Sequence, residues 1–177
     1  MHLPSQGFLA QMHTSLHNLT AILDETKSQP RFCICYLTHA GFISIAKQAS
    51  PVKDSVMVIV PRLPKDALIE WHVLAQKASS STKDAAEVGR IGETKSFFVW
   101  DTDMDSLHRS CREIQTEISE LIMIRIFYHS SLSQKDIYER VLSMFPKAAI
   151  AMVPVLEIEQ EAKMALFCLF KSNKEKI

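Results

Sequence analysis

Apolar positions along this chain follow two spacings, one helical and one extended. From Phe8 to Leu23 the residues Phe8, Leu9, Met12, Leu16, Leu19, Ile22 and Leu23 step by threes and fours, which predicts a helix with one apolar face. Ser5, after Pro4, is the expected N-cap, and Ser28-Gln29-Pro30 the expected stop. F-C-I-C-Y-L (Phe32 to Leu37) is a continuous apolar run too short for a helix and suited to a buried strand. Ala40 to Ala49 predicts a short helix ended by Ser50-Pro51. Val56 to Ala75, V-M-V-I-V-P-R-L-P-K-D-A-L-I-E-W-H-V-L-A, predicts two strands joined by a proline-bracketed turn.

Gln76 to Lys95 is polar, with three successive serines and two glycines, and is expected to be a linker or long surface loop. Beyond it, S-F-F-V-W (Ser96 to Trp100) predicts a strand. Leu107, Cys111, Ile114, Ile118 and Leu121 predict a second amphipathic helix. L-I-M-I-R-I-F-Y (Leu121 to Tyr128) is a long apolar strand. Ser133 followed by Asp136 resembles a capping box opening a third helix, with Ile137, Val141, Leu142 and Phe145, that ends at Pro146. Ala149 to Phe170 then echoes the Val56–Ala75 stretch, the pair Val153-Pro154 answering Val60-Pro61. The order helix, strand, short helix, strand, strand occurs twice, which predicts an internal duplication of an α+β unit.

Composition narrows the class without naming a function. The 177 residues are 47% hydrophobic, enough for one medium domain or two small ones with real cores. Twenty basic residues balance twenty acidic ones, so no global charge attracts nucleic acid or an anionic membrane, and neither is an expected partner. Four cysteines are too few and too irregularly spaced for a disulfide framework or a C-x-x-C metal site; Cys33 and Cys35 share one strand face as small hydrophobes. No apolar run reaches the roughly 18 residues of a membrane span, and M-H-L-P-S-Q-G-F-L-A lacks the pattern of a signal peptide. The expectation is a soluble cytoplasmic protein in a reducing compartment.

The stretch V-P-R-L-P-K-D-A-L-I-E-W-H-V-L-A resembles the signature V-x-x-L-P-x-x-A-x-V-E-I-E-x-x-A of the YjgF/Rid family. The preceding Q-M-H-T-S-L-H-N-L-T-A-I-L-D-E-T is similar to that family's Q-x-x-x-x-L-x-N-L-x-A-x-L-x-x-A helix. The resemblance covers Phe8 to Ala75 well and Phe97 to Phe170 weakly. Two such units in tandem resemble the C-terminal part of the long eukaryotic diphthine–ammonia ligases, which amidate diphthine on elongation factor 2. The resemblance implies an α+β fold of two tandem Rid-like (chorismate-mutase-like) units, each a mixed sheet with helices packed on one face. It divides the chain into a truncated unit over 1–76, a linker over 77–95, a divergent unit over 96–171 and a charged tail over 172–177. It also implies that the first unit lacks its N-terminal hairpin, so that a sheet edge is exposed to association. No phosphate-binding loop is present in the sequence, so the expected chain is a fragment or isoform without the ATP-pyrophosphatase domain.

Rid deaminases hydrolyse enamines and imines of amino acids, clamping the substrate carboxylate with an Arg and positioning water with a Glu, and the resemblance places that Glu at Glu70. The Arg position falls on Ser55, with Lys53 two residues before it as a poor substitute. In the second unit the Glu position falls near Ala165, and Lys147 is the nearest base to the Arg position. Arg125, inside an apolar strand, is either paired with a carboxylate or lining the inter-unit cleft, and is the candidate ligand-binding anion clamp of the second half. For Glu70 the alternative is a carboxylate at a surface or subunit contact. Trp71 is expected in a core or interface, and His72 on the surface. His13 and His17 lie one turn apart without a third ligand, so no metal is expected, nor any cofactor. His39 and His129 occupy equivalent strand ends, and Ser55, Cys111 and Cys168 lack an adjacent base in the sequence.

These residues support a non-catalytic tandem module that scaffolds, oligomerises or regulates a ligase of the diphthamide pathway, by self-association or by docking on the ligase domain. An imine deaminase and a truncated isoform without independent activity are the alternatives. RNA cleavage, attributed to some relatives, is disfavoured by the neutral charge.

Overall fold

The computed structural model describes the backbone of residues 4–77, 90–91, 94–101, 105, 109 and 120–171, and the side chains of 7–76, 105, 109 and 121–169. The chain divides into two compact units, Met1–Glu87 and Val88–Ile177.

The first unit opens with α1 (Pro4–Thr26), so Ser5 lies inside the helix rather than capping it. Phe8 and Met12 are buried, Leu16, Leu19 and Leu23 half-buried, and Leu9 and Ile22 exposed, so the apolar face is narrower than its seven residues suggest. The helix stops because Lys27 adopts a positive φ of 51° and its N–H returns to the Asp24 carbonyl at 3.1 Å. Proline does not end it. Pro30 already lies in β1 (Ser28–Leu37), at an irregularity in the pairing between Pro30 and Phe32. A 3-10 turn (Ala40–Phe42) and α2 (Ile43–Ala49) lead to β2 (Ser55–Ile59), which pairs with β1 in parallel. A second 3-10 turn (Pro64–Asp66) leads to β3 (Ile69–Lys77), antiparallel to β1. The result is a mixed sheet in the order β3-β1-β2.

Alternation along these strands decides which residues meet the helices. Cys35, Leu37, Met57, Ile59 and Ile69 form one buried cluster with Phe8, Met12 and Ala46, and the Phe8 and Phe42 rings stack at 3.9 Å, 9° from parallel. Both helices of this unit therefore cover the same face of the sheet. Ile34, Val56 and Val58, on the opposite face, are also buried.

In the second unit β4 (Arg90–Ile91) pairs with β5 (Thr94–Asp101). β6 (Glu120–His129), α3 (Gln134–Met144), β7 (Ala149–Val155), the two-residue β8 (Glu157–Ile158), a 3-10 turn (Glu159–Glu161) and β9 (Met164–Lys171) follow. The sheet order is β4-β5-β9-β6-β7, with β6 parallel to β7 and antiparallel to β9. Ser133 caps α3, its Oγ accepting from the Asp136 N–H at 3.3 Å. Ile137, Val141 and Phe145 pack on Ile124, Ile126, Met164 and Leu166. Asp105 and Arg109 are helical; the remainder of the helix expected before Leu121 lies outside the described residues.

The path β1-α2-β2-turn-β3 is repeated as β6-α3-β7-turn-β9, with the same parallel and antiparallel pairings. The turns agree in detail. Leu63, Lys65 and Ala67 have φ of −112°, 57° and −62°, and Ile158, Gln160 and Ala162 have −126°, 63° and −63°. This superposes L-P-K-D-A-L-I on I-E-Q-E-A-K-M and shifts the sequence echo by two residues: Val60 corresponds to Val155, not to Val153. Pro154 lies within β7 opposite Tyr128, whereas Pro61 follows β2. A single V-P dipeptide carries too little pattern to define a register; the paired positive-φ turn does.

Candidate functional site

Three residues converge where β1, α2 and β2 meet. Cys33 stands opposite Ser55 in the parallel ladder, and the Lys47 ammonium of α2 donates to the Ser55 carbonyl. Cys33 is fully buried, and that burial pushes its thiol from 9.0 up to about 12, against the opposing pull of the Lys47 charge. A thiol held protonated in this way is a packing group and not a nucleophile. The Ser55 hydroxyl is buried and has no hydrogen-bond partner among the described residues. A base thus lies beside Ser55, eight residues away in the sequence. It meets the carbonyl rather than Oγ, so no Ser–Lys dyad is formed. Lys47 could have been noticed as the one charged residue of the short helix A-G-F-I-S-I-A-K-Q-A.

Glu70 is exposed on β3 opposite Tyr36. Its neighbours Ile69 and Trp71 pack with the helix-side cluster, so alternation sends Glu70 to the other face. Ser55 has the parity of Met57 and Ile59 and therefore lies on the helix side. Ser55 and Glu70 are therefore on opposite faces of the sheet. Lys53, exposed before β2, is not brought to Glu70 by the pairing. Arg62, close to the turn, engages Asp66 at 2.8 Å, an exposed pair of at most about 1 kcal/mol.

The second unit departs further. The pair Ile124–Ile150 corresponds to Cys33–Ser55, and Phe127–Ala165 to Tyr36–Glu70. The residues corresponding to Ser55 and Glu70 are thus Ile150, packed on the core, and the fully buried Ala165. Lys147 is exposed in the loop after α3. Arg125 is half-buried in β6, in register with Phe167 and Ala151 and on the face away from α3. No family model, curated protein or solved structure matches the chain.

The histidines have local duties. His39 Nδ1 accepts from the Gly41 N–H at 3.0 Å, and His129 Nδ1 from the Ser131 N–H at 3.1 Å, each closing the turn after its strand. The strand registers place them one residue apart: Thr38 N–H meets the Leu68 carbonyl, but His129 N–H itself meets that of Lys163. His13 and His17 are exposed on α1, and the described residues hold no group of three His, Cys, Asp or Glu suited to a metal. Trp71 is half-buried, and its indole N–H reaches Ser15 Oγ at 3.1 Å, tying β3 to α1. Beside that link lies an open groove of about 380 Å³ lined by Ala10, Gln11, Thr14, Ser15, Asn18 and Ile69. Cys168 is buried in the second core, and Cys111 lies outside the described residues. Among the described residues no helix is long and apolar enough to cross a membrane.

Proposed function

We propose that the chain is a tandem Rid-like module that scaffolds or regulates a diphthine–ammonia ligase-type enzyme and does not itself deaminate imines. The observation that supports this reading is the separation of Ser55 and Glu70 onto opposite faces of one sheet, with Ile150 and Ala165 at the corresponding positions of the second unit. Carboxylate capture requires a planar cationic fork on the same side as the water-positioning acid, and among the described residues neither unit places that pair at these positions. The family resemblance of L-P-K-D-A-L-I-E supplies the ligase context.

Two measurements test the proposal. The purified chain, added to 2-aminoacrylate generated by a serine dehydratase, leaves the rate of pyruvate release unchanged; an acceleration abolished by Glu70→Ala overturns the non-catalytic reading. The chain also co-migrates in gel filtration with the ATP-pyrophosphatase domain of a diphthine–ammonia ligase, and independent elution at concentrations of tens of micromolar overturns the scaffold reading.

A further inference from the structure

Ser131 carries a hydroxyl that the turn holding it does not need. After β1, the Gly41 N–H reaches His39 Nδ1 at 3.0 Å and the Phe42 N–H reaches the His39 carbonyl at 3.1 Å. The same turn recurs after β6. There the Ser131 N–H reaches His129 Nδ1 at 3.1 Å and the Leu132 N–H reaches the His129 carbonyl at 2.9 Å. Glycine thus closes the first turn with two backbone N–H donors, and a Cβ at Gly41 would stand 3.0 Å from His39 Nδ1. The second turn admits a side chain at this place, and its Oγ lies 2.6 Å from His129 Nδ1.

The backbone bond decides which way the side-chain bond runs. An amide N–H only donates, so the Nδ1 it meets is the unprotonated nitrogen of a neutral imidazole, and Nε2 carries the proton. The Ser131 hydroxyl therefore donates to Nδ1, and its oxygen lone pairs are left for an electrophile. A serine within hydrogen-bond reach of a base is the arrangement that activates a hydroxyl. The backbone around the pair is fixed in advance: the His129 N–H donates to the Lys163 carbonyl at 2.8 Å and the Ser130 N–H to the Val155 carbonyl at 3.1 Å. Ser131 is exposed while His129 is half-buried, so the nucleophile is open to a substrate and the base is partly sheltered from water. Ser133, the N-cap of α3, follows two residues later, at most about 7 Å along the chain. The positive end of that helix dipole favours negative charge developing at Ser131.

We propose that Ser131 is a nucleophilic serine, with His129 as its general base, that accepts acyl groups from small activated esters and thioesters. Oγ attacks the acyl carbon as its proton passes to Nδ1. The C–O or C–S bond to the leaving group then breaks, and the imidazolium returns the proton to the departing oxygen or sulfur. The products are an ester on Ser131 and a free alcohol or thiol. The inference rests on this turn alone and is independent of the proposed function.

The test uses the full chain. It is incubated with p-nitrophenyl acetate, and the acetylated positions are read by peptide mass spectrometry. Ser131 is acetylated at least about tenfold faster than Ser130, its exposed neighbour. His129→Asn keeps a side-chain acceptor for the Ser131 N–H without a basic nitrogen, and slows labelling of Ser131 about a hundredfold. Ser131→Gly copies the turn at Gly41 and abolishes the fast phase of p-nitrophenolate release, with the circular dichroism spectrum unchanged. Should either variant misfold, the wild type decides: a fluorophosphonate, which reacts with activated serines, labels Ser131 and spares Ser130. Acetylation confined to amines, equal labelling of Ser131 and Ser130, or undiminished labelling of Ser131 in folded His129→Asn overturns the inference.

Discussion

Ser55 and Glu70 project from opposite faces of the β3-β1-β2 sheet, Ser55 toward the helices and Glu70 away from them. Two positions of one linear signature are thereby divided between a buried environment and an exposed one. An arginine placed at Ser55 therefore does not share a face with Glu70. In Ser55→Arg a guanidinium enters a buried site beside the Lys47 ammonium, and the expected loss is about 3 kcal/mol or more in urea unfolding, with no pyruvate-releasing activity. An Arg variant of wild-type stability that turns over 2-aminoacrylate would falsify the facial assignment.

Ser55→Ala has the opposite sign. The hydroxyl is desolvated without a hydrogen bond in return, so its removal stabilises the chain by up to about 1 kcal/mol, read as a raised denaturation midpoint. A loss of stability would reveal a partner for Oγ.

Phe8 anchors α1. It is fully buried and stacked on Phe42, so Phe8→Ala costs about 3–5 kcal/mol, whereas Leu9→Ala, at a residue 37% exposed, costs under about 1 kcal/mol. Chemical denaturation of the two variants should separate them clearly; similar losses would contradict the placement of the helix face.

Cys33 makes stability depend on alkaline pH. Its folded pKa, about 12, lies above the ordinary 9.0, so the folded chain holds the thiol proton more tightly than the unfolded chain. The contribution is complete below pH 9 and is lost as pH rises from 9 toward 12, with a slope of up to about 1.4 kcal/mol per pH unit. The difference between the pH profiles of wild type and Cys33→Ala reports the thiol. Parallel profiles would show that Cys33 is not desolvated.

Ser133→Ala removes the cap of α3 and costs about 1 kcal/mol in thermal or urea unfolding. Ser143→Ala, which removes only an exposed hydroxyl bond to the Arg140 carbonyl, stays within about 0.5 kcal/mol and is the control.

Local pattern determined much of the architecture. The spacing by fours of Phe8, Met12 and Leu16 specified α1, the runs at Phe32–Leu37 and Leu121–Tyr128 the central strands, and Ser133 with Asp136 the start of α3. These are short-range signals, settled by propensity, capping and periodicity within a few residues. The recurrence of strand, helix, strand and strand is also legible. The end of α1 is not legible in this way, because a lysine at positive φ, and not the visible proline, turns the chain.

Register, face and proximity were decided only by the tertiary structure. A period-two strand shifted by one residue exchanges its two faces, and no local cue separates Val153 from Val155 as the counterpart of Val60; the matched turns at Lys65 and Gln160 do so. The same long-range pairing brings Lys47 to Ser55, sends Glu70 away from both, and turns the backbone N–H and C=O groups of Ile69, Trp71 and Val73 away from β1. The residue types in the signature stretch are a property of the sequence. Which of them share a face is set by hydrogen bonds between segments far apart in the chain, and that division carries the functional reading.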